Sequence, residues 1–62
     1  MNYTVYIDVV DNSNISQSIS EQLFQMLKDN NINTVILDNT LSISEKIKKI
    51  NDEATNAIVI SN

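Results

Sequence analysis

The chain predicts an α/β fold: a single small β-α-β-α-β domain over residues 1–62, with a three-stranded parallel sheet and two amphipathic helices. Short apolar runs rich in β-branched residues recur at 3–10, 32–37 and 57–60. Segments of helical periodicity separate them. Each separating segment is too long for a hairpin and suits the helical crossover that joins parallel strands. The middle run, Asn33-Thr34-Val35-Ile36-Leu37-Asp38, has a helical segment on either side and organises the rest.

In the first strand, Tyr3, Val5, Ile7 and Val9 alternate with Thr4, Tyr6, Asp8 and Val10. One face is apolar and the other mixed, so the strand is expected to be half-buried or at an edge. Asp11-Asn12-Ser13-Asn14 supplies turn chemistry without glycine. Ile15, Ile19, Leu23, Met26 and Leu27 then recur at helical spacing and are expected to face the core. Asn14 is the preferred N-cap, with Ser18 and Glu21 as the alternative start. Asp29-Asn30-Asn31 ends the helix, with Asn31 expected in the left-handed conformation. Residues 32–37 are apolar on both faces, which suits a strand covered on both sides.

Ser42 and Glu45 have the spacing of a capping box. The helix they open carries Ile43, Ile47, Ile50 and Ala54 on one stripe, with Glu45–Lys49 and Lys49–Glu53 pairs outside it. Ala57-Ile58-Val59-Ile60 is the last strand. Right-handed crossovers allow strand order 2-1-3, with helices on opposite faces, or 3-2-1, with both on one face. The mixed face of the first strand favours 3-2-1. That order would leave the Thr4 and Tyr6 face open to a partner subunit or domain.

Composition excludes several classes. A 62-residue domain buries only roughly 60% of its unfolded surface, so its core needs a supplement. The chain has no Cys or His, hence no disulfide and no metal site of the usual nitrogen and sulfur type. Self-association or a neighbouring domain is the remaining supplement, and a homo-oligomer is expected. Eight acidic residues against four Lys give a net charge of −4, which argues against nucleic acid as a partner. No apolar run approaches the roughly 18 residues of a membrane span, and no signal-peptide pattern opens the sequence. If the parent protein is exported to a cell wall, its signal is expected outside these residues. Heavy use of Asn, Ile and Lys points to AT-rich codons and a low-GC source.

Ligands of parallel α/β sheets bind at the carboxyl ends of the strands. That rim collects Asp8, Asp11, Asn12, Ser13, Asp38, Asn39, Ser61 and Asn62. Carboxylate and amide oxygens suit saccharide hydroxyls or a hard cation, although loops and caps alone account for the same letters. Asp8, Asn12, Asp38 and Asn39 are the candidate ligand-binding residues. Asp8 with Asp38 is the one carboxylate pair open to acid–base work, and no Gly-x-Ser-x-Gly elbow or His base accompanies the serines. No catalytic residue, cofactor or metal is assigned, and the chain is read as non-catalytic. Lys46, Lys48 and Lys49 are read as a solvated helix face.

Ile43-Ser44-Glu45-Lys46-Ile47-Lys48-Lys49-Ile50-Asn51, followed by Ala57-Ile58-Val59-Ile60-Ser61-Asn62, resembles part of the bacterial zinc-dependent N-acetylmuramoyl-L-alanine amidases. That part reads roughly Leu-x-x-Arg-Val-x-x-Ala-Asn, then an apolar strand and Ser-Ile-His. Ile43, Lys46, Ile50 and Asn51 keep the spacing, and residues 3–8 resemble the amidase first strand ending in Ile-Asp. The Gly-His-Gly-Gly turn of those enzymes is replaced by Val9-Val10-Asp11 and the later His is absent, so their zinc hydrolysis is not expected. The outline is also similar to the small α/β cell-wall-binding domains of clostridial phage endolysins, which implies a non-catalytic, self-associating module recognising wall glycan. A cell-wall glycan-binding module is therefore the leading expectation. A self-association or protein-interaction domain without a small ligand is the alternative.

Overall fold

Strands and helices alternate along the chain as β1 (Thr4–Asp8), α1 (Asn14–Asp29), β2 (Thr34–Leu37), α2 (Ile43–Glu53) and β3 (Ala57–Ser61) in a computed structural model that describes residues 3–62. Met1 and Asn2, where the 1–62 domain reading begins, lie outside the described residues. The three strands form one parallel sheet.

Local chemistry sets the element ends. Ser13, rather than Asn14, caps α1: the Asp11 carboxylate accepts from the Ser13 amide (3.0 Å) and hydroxyl (3.2 Å), holding Ser13 extended so that its Oγ accepts from the Ser16 amide (3.2 Å). At the other end Asn31 adopts φ 60°, as expected. The Asn31 amide donates to Lys28 and the Ile32 amide to Leu27, a Schellman closure that keeps residues 31–32 with the helix and delays β2 to Thr34. Ser42 and Glu45 form the expected reciprocal box at α2. The ladder register runs on past Asp8, with the Val9 amide donating to the Leu37 and the Val10 amide to the Asn62 main-chain oxygen, and it breaks at Asp11, whose amide shares the Asn62 oxygen.

The strand order is β2-β1-β3, not 3-2-1. Strand β1 is central, and its mixed face is covered rather than open. Tyr6 is fully buried and Thr4 nearly so. The polar members of that face have partners from distant segments: Asn33 Nδ2 donates to Thr4 Oγ1 (2.9 Å), and Lys46 Nζ of α2 meets Asp8 Oδ1 (2.6 Å). With right-handed crossovers this order puts the helices on opposite faces, α2 over Thr4, Tyr6 and Asp8 and α1 over Val5, Ile7 and Val9. Val5, Tyr6, Ile7, Val9 and Leu37 make the apolar core.

The helix stripes depart from expectation. Ser20 is the residue of α1 that is fully buried, whereas Ile15, Ile19 and Met26 are half or more exposed, as are Ile43 and Ile47 of α2. A helix roughly 10 Å across spans about two strands, so on a three-stranded sheet one apolar flank of each overhangs. Strand β3 is exposed along its whole length despite its apolar sequence.

Candidate functional site

Of the four candidate ligand residues at the carboxyl-end rim, Asp38 and Asn39 share a cleft that Asp8 and Asn12 do not line. Asp8 is held in a mostly buried ion pair with Lys46. Lys46 thus leaves the expected solvated cluster; Lys48 faces outward and pairs with Asp52 (3.2 Å), while the half-buried Lys49 forms the expected pair with Glu53 (3.1 Å). The Glu45 carboxylate bonds the Ser42 amide (2.9 Å), its capping role. Asn12 lies in the β1–α1 loop, where its main-chain oxygen accepts from Gln17 Nε2 (3.1 Å).

Asp38 and Asn39 line an open cleft of about 420 Å³ with Gln17, Glu21 and Thr40, over an apolar floor from Val9 and Ile36. Asp38 Oδ1 accepts from the Thr40 amide (2.9 Å), which closes the β2–α2 turn and fixes the carboxylate at the cleft wall. From the sequence Glu21 has only a capping role, and neither Gln17 nor Glu21 is placed at the rim. Their signal was the four-residue spacing that puts both on one flank of α1, beside the buried Ser20.

The order β2-β1-β3 places the topological switch point between β1 and β3. Asn62 fills it. Its amide donates to the Asp8 main-chain oxygen (2.9 Å), and its side chain donates to the Ser16 main-chain oxygen (2.9 Å) and Ser20 Oγ (2.8 Å). A second open cleft, about 460 Å³, lies at the amino ends between Tyr3, Asn33, Glu53 and Thr55.

Electrostatic perturbations belong mainly to structure. The Asp11 carboxyl is held below its ordinary range by the Ser13 amide first and the Ser16 hydroxyl next, and that of Glu45 by the Ser42 amide. Burial raises the Tyr6 phenol, reinforced by the Glu53 carboxylate, and its hydroxyl has no hydrogen-bond partner among the described residues. Among the described residues no group of three or more acidic, His or Cys side chains is placed to hold a metal, and no helix is long and apolar enough to cross a membrane. No family model, curated protein or solved structure matches the chain.

Proposed function

We propose that this chain is a non-catalytic interaction module whose contact surface is the open edge of β3. The observation that carries the reading is the mismatch between the sequence of β3 and its surroundings. Ala57-Ile58-Val59-Ile60 has the composition of an interior parallel strand, a type normally covered on both faces, yet Ile58 and Val59 are each 49% exposed. Contiguous exposed apolar surface of this kind marks contact sites. An unpaired strand edge also offers main-chain groups to an incoming strand. The test places a photo-crosslinking residue at Ile58, or at Lys28 on the far flank, in the full protein in its source cells. A protein adduct from 58 and none from 28 is expected; no difference between the positions would sink the reading.

A second reading, saccharide binding at the rim, is favoured by the meeting of Asp38 and Asn39 with Gln17 and Glu21 over an apolar floor. Carboxylate and amide groups match sugar hydroxyls, and the resemblance to wall-binding domains supplies the class: glycan of a bacterial cell wall. Co-sedimentation with walls of low-GC Gram-positive bacteria tests it. Binding to some walls should fall on Asn39→Ala and Glu21→Ala with helical circular dichroism unchanged. Undiminished binding in both variants would remove the cleft as the site.

A further inference from the structure

We infer that the occupant of the β3 edge is a second copy of this chain, paired antiparallel through β3 about a twofold axis at Val59. The inference rests on the interaction reading above and adds the partner and the register. Its first support is backbone direction. The Thr4 amide bonds the Asn56 main-chain oxygen and the Asn62 amide bonds that of Asp8, so even-numbered residues of β3 point their main-chain groups at β1. Those of Ala57, Val59 and Ser61 point to the open edge. A strand whose outward residues are 57, 59 and 61 is self-complementary when reversed: Val59 meets its own copy, and Ala57 meets Ser61 twice. Such an interface closes as a dimer.

The helix flanks support the same occupant. In α1 Ser20 faces the sheet and Gln17 and Glu21 lie beside Ile36 of β2, so Ile15, Ile19 and Met26, on the other flank, lie toward β3. A half-turn about β1 relates the two helices and exchanges the sides. Lys46 faces the sheet in α2, and Ile47, one residue on, therefore also lies toward β3, with Ile43 a turn away. Both layers present their spare isoleucines at one edge.

The helix flanks and β3 itself are uncharged along that edge, and Asp11, whose amide bonds Asn62, stands at its carboxyl end. Every charged residue of α1 and α2 falls on the sheet-facing, outward or β2 side, and β3 has none. Two copies that each carry a net charge of −4 can meet there without like charges in contact, while an oppositely charged partner finds nothing to attract it. Complete burial of the exposed apolar side chains of β3 and the two flanks would remove at most on the order of 800 Å² per copy, which reaches the amount a standard interface buries on each side. The product is a six-stranded sheet with α1 against α1 on one face and α2 against α2 on the other.

The experiment combines sedimentation velocity of the purified chain over a concentration series with mild oxidation of Val59→Cys. The parent has no Cys, so that thiol is the only one present. Residues in a hydrogen-bonded antiparallel pair stand about 5.5 Å apart, within disulfide reach. A reversible dimer is expected, with Val59→Cys linking to double mass and Glu21→Cys, on the opposite flank, remaining single. Ile58→Lys should weaken the dimer at least about tenfold with circular dichroism retained, since it buries an unpaired ammonium. A monomer at every concentration, or a dimer in which Val59→Cys links no faster than Glu21→Cys, overturns the inference. A purified monomer whose Ile58 photoprobe still labels another protein in cells would leave the interaction reading standing and remove only the second copy.

Discussion

Lys46 and Lys48 stand two residues apart on α2 and do different jobs. Lys46 reaches the central strand at 2.6 Å from Asp8, both side chains mostly covered, whereas Lys48 and Asp52 meet at 3.2 Å in open solvent. Removing Lys46 leaves a shielded carboxylate without its partner. We expect Lys46→Ala to cost about 1.5–3 kcal/mol in urea unfolding and Lys48→Ala less than about 1 kcal/mol. Equal costs would show that the Asp8 pair is not structural. Such residue-scale roles were only partly legible in the sequence. The Asp38–Asn39 turn was legible because turn chemistry is local; the cleft beside it was not, because Gln17 and Glu21 reach it from another element. Asp8 looked available for the same reason, its partner lying on α2, far along the chain.

At the scale of elements, the helix ends depend on carboxylates that need to stay ionised. The folded state depresses the Asp11 and Glu45 pKa values, so each contributes stability above its unfolded value that is lost as pH falls through the lower folded value. The window lies below the ordinary carboxylate range near pH 4. The Ser13 and Ser42 amide resonances, whose protons bond these carboxylates, should titrate with midpoints below that range in ¹⁵N-resolved spectra. Midpoints at ordinary values would show that the caps do not hold in solution. Element identity was legible throughout, and so were the Asn31 closure and the Ser42–Glu45 box, because each rests on residues three to five apart. The Asn14 cap was displaced by Ser13 because Asp11 reaches forward to two serines, a cooperation that single-residue cap preference does not reveal. The helical stripes were legible as stripes. Their exposure depends on the width of the sheet beneath, which no helix encodes.

For the whole molecule, the decisive quantity was strand order. A mixed face reads as solvent-facing when its polar residues are counted alone, and Thr4 and Asp8 become compatible with burial only once Asn33 and Lys46 are brought to them. Placing β1 in the middle moves the unsatisfied surface from a sheet face to an edge, and with it any partner. It also sets a timetable for the chain. The strand made first is flanked by two made later: Tyr6 pairs with Val35 on one side and must wait for Val59 on the other. Long-range pairing of this kind is slow, because loop closure precedes the contacts that reward it. Until α2 and β3 have emerged from the ribosome, the most deeply buried strand of the finished sheet has a bare flank, exposed to capture by a neighbouring nascent chain or a chaperone.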